Sequence, residues 1–422
     1  MQEELLHHIW NYQRFTKNKL QTTEGESVLI HKSGVLNKDS GPDFFNALIT
    51  IGETQWAGNV EIHVKSSDWF KHNHQSDKAY STIVLHVVWE DDIDFFSKQG
   101  IATIELKYRV PKLILERYRE LNNLKSIPCE NLIHNVDAFM IRQWLMRLAT
   151  ERLEQKSKVI IGYYNSTNSS WSETFYWALA RNFGFKVNGE PFELLAKSLP
   201  LSILAKHKDN PMQVEALIFG QSGLLDAKFK DEYPQTLQKE YSFLKRKYSL
   251  KPLLPEIWKR SKMRPSNFPT IRIAQFSALI VRAEQLFSKV LSTGKISETK
   301  IFFEELEPSN YWKYHYSFDG DTRVKRKILG EASINNILIN TIAPLLFAYG
   351  HLRDELFYKE RAIELLEMIP SESNNIIKRW KALHLEVENA ADSQALIQLR
   401  TMYCNEKKCL NCNIGNQILK PL

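Results

Sequence analysis

Val60-Glu61-Ile62-His63-Val64-Lys65 alternates strictly between apolar and polar side chains. A period of two marks a β-strand: Val60, Ile62 and Val64 face a core, while Glu61, His63 and Lys65 project together into a cleft or solvent. Upstream, Ser40-Gly41-Pro42-Asp43-Phe44 places an acid just after a Gly-Pro turn and just before the strand-like run Phe45 to Ile51. Two carboxylates at the tips of adjacent strands make an oxygen site for a hard divalent cation, and a basic side chain two residues after the second shares its strand face.

Working outward, Glu3 to Phe15 reads as a first helix with Leu5, Leu6, Ile9 and Trp10 on one side. Strand-like runs cover Ser27 to His31, Phe45 to Ile51, Gln55 to Val64, Thr82 to Glu90 and Ile101 to Tyr108, with a short helix expected from His72 to Ser81. After Pro111 the texture turns helical, with apolar spacing over Leu113 to Asn123, Val136 to Lys158, Glu173 to Phe183 and on towards the C-terminus. The expected organisation is an α/β domain over residues 1–110, a helical connector over 111–160 and a mostly α-helical region over 161–422.

A mixed sheet with its first carboxylate after Gly-Pro and its second on the next strand resembles the restriction-endonuclease-like, or PD-(D/E)xK, superfamily over about residues 1–110. That resemblance implies a Mg²⁺- or Mn²⁺-dependent nuclease of DNA or RNA. Asp43, Glu61 and the backbone carbonyl of Ile62 would hold the ion, His63 would stand at the position of the family's lysine, and Glu3 or Glu4 on the first helix would complete the site. Lys65, on the same strand face, is expected to lean back and supply the charge that a neutral imidazole lacks. The alternative is an inactive nucleic-acid-binding or scaffold protein on the same fold.

Seven of the chain's twelve histidines precede residue 90. His63, Asp68, His72, His74, Asp77 and His86 therefore offer a second chemistry, a two-histidine-plus-carboxylate site for Zn²⁺, Mn²⁺ or Fe²⁺. His86, inside Leu85-His86-Val87-Val88, reads as a core or supporting histidine. Three of the four cysteines form the run Cys404, Cys409 and Cys412, which in a reducing compartment suggests metal more than disulfides. With Cys129 as a fourth ligand, Zn²⁺ or an iron–sulfur cluster fits.

The 422 residues carry a net charge of +7, with a pI near 8.9. Between Lys239 and Arg282 eleven Lys or Arg stand against two acids, interleaved with Tyr241, Phe243, Tyr248, Trp258 and Phe268, as on a surface that neutralises phosphates and stacks on bases. Arg260, Lys262, Arg264 and Arg272 are the candidate nucleic-acid contacts, the last two as a phosphate clamp. The N-terminus lacks a basic segment followed by an apolar one, and Ile334 to Tyr349 is interrupted by Asn335, Asn336, Asn340 and Pro344. The expectation is a cytoplasmic protein without a membrane partner.

The motifs Gly41-Pro42-Asp43-Phe44, Val60-Glu61-Ile62-His63, Ser66-Ser67-Asp68-Trp69, Leu85-His86-Val87-Val88 and Arg264-Pro265-Ser266-Asn267-Phe268-Pro269, with the cysteine tail, together resemble an uncharacterised bacterial domain-of-unknown-function family along nearly the whole chain. This likeness implies a bacterial cytosolic origin and no particular activity.

Overall fold

The hairpin formed by Phe44–Ile51 and Thr54–Lys65 sets the register on which the site depends. A computed structural model describes residues 1–93, 101–123, 125–282, 285–293 and 296–420. Their contacts fall into two compact units, the first made of residues 1–144 with 399–422 and the second of residues 145–398. The C-terminal segment thus groups with the N-terminal residues and not with the helical stretch that precedes it.

In the first unit, α1 (Glu3–Asn11) is followed by β1 (Val28–Lys32), β2 (Val35–Leu36), β3 (Phe44–Ile51), β4 (Thr54–Lys65), the one-turn α2 (Asp68–Lys71), β5 (Ile83–Glu90), β6 (Ala102–Glu105) and α3 (Lys112–Leu121). The six strands form one mixed sheet in the order β1-β3-β4-β5-β6, with β2 also on β3. β1, β2 and β4 run antiparallel to β3, whereas β4, β5 and β6 are parallel. Parallel neighbours need a crossover, supplied between β4 and β5 by residues 66–82. Leu5, Leu6, Ile9 and Trp10 of α1 are buried, as are Phe44, Ile49, Val60, Ile62, Leu85 and Val87 of the sheet. Burial of this kind contributes roughly 1.5–3 kcal/mol per large apolar side chain.

Local irregularities aim the strands. A bulge lies between Phe44 and Ala47 of β3, where Asn46 takes a left-handed φ of 58° and its N–H donates to Asn59 Oδ1 at 3.2 Å. A Cβ on Gly58 would sit 2.3 Å from Val84 Cγ1, so glycine alone lets β5 cross β4 this closely.

The expected helix over His72–Ser81 is absent. After α2 come two single 3₁₀ turns, His74–Ser76 and Lys78–Tyr80, because Asn73 is left-handed at φ 59° and Asp77 is extended, its carboxylate accepting from Ala79 N–H. The spacing of His74, Asp77 and Tyr80 is that of a helix face, but short Asx-type turns outcompete the helix.

The second unit is mostly helical. It opens with the greater part of α4 (Ala138–Ser166) and contains helices including Trp171–Phe183, Phe185–Ser198, Pro211–Gln221, Glu232–Lys247, Pro269–Arg282, Leu356–Met368 and Ala390–Gln398. Among the described residues one helical run, Glu331–Arg353, is long and apolar enough to cross a membrane, with a mean hydropathy of 1.3, but 67% of its most apolar 18-residue window is buried inside the fold. It contains a π-turn at Leu338–Ile342, where Pro344 lacks the N–H that would bond to the carbonyl of Asn340. That carbonyl instead accepts from Asn182 Nδ2 at 3.1 Å.

Candidate metal centre

Antiparallel pairing of Phe44 with Val60 sets Asp43 opposite Glu61. The Asp43 N–H donates to Glu61 Oε2 at 3.2 Å, and the Ile62 N–H donates to Asp43 Oδ2 at 2.9 Å. The two expected carboxylates do meet, although Ile62 reaches Asp43 through its amide N–H. Glu61 and His63 are buried, so this polar face of β4 lines an interior site and not a wet surface.

The corner after β4 brings histidines back over the strand. Ser66 Oγ accepts from the N–H groups of Asp92 and Ile93, the Asp92 carboxylate accepts from Ser67, and Asp68 Oδ2 accepts from the Lys65 N–H at 3.0 Å. This knot joins the ends of β4 and β5. It starts α2, buries Trp69 and returns the chain so that His72 and His74 meet His63. One ring nitrogen from each of these three histidines lies within 4.8 Å of the other two, the only such trio of potential metal ligands among the described residues.

Glu61 Oε1 stands 3.2 Å from His74 Nε2 and 3.7 Å from His63 Nε2, so a carboxylate oxygen borders the imidazole trio. Behind it, His63 Nδ1 shares a 2.9 Å hydrogen bond with His86 Nε2, which fixes the His63 ring and leaves its Nε2 towards His72 and Glu61. His74 Nε2 is buried with the Glu61 carboxylate beside it but not aligned as a hydrogen bond, and a cation between them would satisfy both. The Tyr80 ring lies 3.8 Å from that of His74, and Trp69 packs edge-on to His63, His74 and His86.

Burial sets the electrostatics of this cluster. Burial, with Asp43 and Glu3 adding, pushes the Glu61 carboxyl up to about 9. Burial and the neighbouring His74 and His72 push His63 down to about 3, and burial lowers His74 and His86 as well. Imidazoles held neutral keep their lone pairs for a metal, and a bound divalent ion reverses the penalty on the carboxylate. Three imidazole nitrogens within 4.8 Å of one another, with a carboxylate oxygen beside two of them, could hold a metal ion.

A family model described as a protein of unknown function, DUF2851, matches residues 3–375. The chain belongs to that family. No curated protein and no solved structure matches it.

Several expected site residues of this DUF2851 chain take other places. Glu4 is exposed; the half-buried carboxylate of α1 whose field reaches Asp43 is Glu3. Lys65 does not lean back, since its half-exposed ammonium pairs with Asp92 at 3.7 Å. Asp68 and Asp77 are occupied with backbone N–H groups. Arg272 cannot clamp phosphate. It is buried in the second unit, donates to Gln275, Asn267 and Ser333, and lies 4.2 Å over the Phe185 ring. Arg260, Lys262 and Arg264 are exposed.

Sequence reasoning missed His7. Its Nε2 lies 3.3 Å from Asp43 Oδ2; burial works against its charge, but Asp43, with Glu3 and Glu4 adding, outweighs burial and raises its pKa. The available signal was the i, i+4 spacing of Glu3 and His7 on α1, which puts both on one helix face.

Proposed function

We propose that this protein is a metal-dependent phosphodiesterase acting on nucleic acid, with a transition-series ion held by Glu61, His63, His72 and His74. The observation that carries this reading is the convergence of a buried carboxylate with three imidazoles whose ligand nitrogens lie within 4.8 Å of one another. A bound divalent ion supplies Lewis-acid polarisation of a phosphate oxygen and an acidified water. The likeness of the Asp43–Glu61 arrangement to restriction-endonuclease-like nucleases, and the exposed Arg260, Lys262 and Arg264, support a polynucleotide substrate.

The chain's own groups have distinct tasks in this mechanism. His86 orients His63, and Asp43 keeps Glu61 and the start of β3 in register through paired N–H bonds. The His7–Asp43 pair holds a proton at His7 Nε2 for a leaving oxygen, the role of a general acid. Trp69 and Tyr80 pack against the His74 ring, while His72 stays exposed and leaves the site open to substrate.

Purified protein stripped of metal and resupplied with Mn²⁺, Zn²⁺ or Mg²⁺ is expected to cut labelled single- or double-stranded DNA or RNA with one of the first two ions. His74→Ala and Glu61→Gln should lower both metal binding and cutting to background. Cutting that survives these changes refutes the assignment. A second reading rests on the backbone bonds that both carboxylates accept: Asp43 and Glu61 can serve as clamps in a non-catalytic scaffold. Loss of folding with no metal bound by the native protein would favour it.

A further inference from the structure

We propose that Cys129, Cys404, Cys409 and Cys412 form a second, four-thiolate metal centre that ties the C-terminal segment into the first unit. The four cysteines are free thiols, all buried, and together with Leu121, Tyr403 and Ile414 they line one cavity. Chain distance does not explain this meeting. Cys129 comes from the loop after α3, and the other three come from beyond residue 399, yet all belong to the same compact unit.

Cys409 Sγ donates to the Leu121 carbonyl oxygen at 3.9 Å, which joins the C-terminal turn to the end of α3 inside this cavity. A Cβ on residue 415 would fall 2.1 Å from the Cys409 carbonyl oxygen, so Gly415 lets the two cysteine-bearing turns close on each other. Arg400 and Lys407 face Cys404 with positive charge, offsetting the negative charge that a four-thiolate centre retains. Burial raises all four thiols, and the neighbouring cysteines add to it at Cys129, Cys404 and Cys409.

Spacing indicates which occupant fits. Among the described residues no three cysteine sulfurs lie within 4.8 Å of one another. A single tetrahedral zinc with 2.3 Å bonds would hold its sulfurs about 3.8 Å apart. The wider frame, walled by apolar side chains, suits an iron–sulfur cluster, whose four thiolates bind separate irons.

The test uses the full chain purified without oxygen, assayed for iron, acid-labile sulfide and zinc, with visible absorption as a second readout. Iron with matching sulfide and a thiolate-to-iron absorption band is expected. One equivalent of zinc in a colourless protein would uphold the thiolate centre and overturn the cluster as its occupant. Less than about one tenth of an equivalent of both metals in the native protein overturns the site itself, whatever the variants do. Cys129→Ser and Cys412→Ser should lose about tenfold or more of that metal, whereas His74→Ala should keep it; the reverse pattern would assign the metal to the histidines.

Discussion

His8 follows the histidine that faces Asp43, yet it is buried on α1 away from that pair and carries no metal role. Burial, with Arg14 adding, pushes its imidazole down to about 4, while a hydrogen bond with the backbone of Leu410 acts in the opposite direction. In the unfolded chain the same group takes up a proton near pH 6.5. Between these values the unfolded state binds more protons, so stability is fully present above pH 6.5 and falls as the pH drops towards 4. The loss is on the order of 3 kcal/mol. Urea unfolding of the metal-free protein at pH 7.0 and 4.5 should therefore show a smaller acid loss in His8→Leu than in the wild type. Equal losses would mean that His8 is already charged in the folded state.

Among the elements, the connection leading into the helix Pro269–Arg282 separates two arginines that sequence reading had joined. Arg264 is exposed, whereas Arg272 is surrounded by the side chains that accept its hydrogen bonds. Arg272→Met should lower stability by roughly 2–4 kcal/mol, because it leaves Asn267 and Gln275 short of a partner. Arg264→Ala should fall within about 0.5 kcal/mol of wild type while weakening polynucleotide binding. Thermal melts and a salt-dependent binding titration separate the two effects. Arg272 was misread because its neighbours Ile271 and Ile273 show an apolar helix but not which polar residue points inward. The strands were more legible: alternation in Val60–Lys65 places Glu61 and His63 on one face, and the pairing that follows brings Asp43 alongside. His63, His72 and His74 could be named together from the histidine-rich stretch, but not the path that returns them, which depends on a left-handed Asn73 and on side-chain bonds from Ser66, Ser67 and Asp68.

At the level of the whole molecule, residues 399–422 are part of the first unit, not an appendage. Arg14 donates to Asn416, and Arg117 donates to the carbonyl of Ile418 at 2.8 Å. Removing this segment should abolish the cooperative unfolding of residues 1–144 and leave the helical unit, residues 145–398, melting as before. Amide hydrogen exchange read peptide by peptide checks this directly, and unchanged protection in β3 to β5 would contradict it.

The same closure orders events on the ribosome. A unit that needs its last residues cannot complete itself while the intervening 145–398 stretch is being made, a wait on the order of tens of seconds at 5–20 residues per second. The helix Lys112–Leu121 spends that interval without the segment that packs on it, so the inserted helical unit is free to fold first.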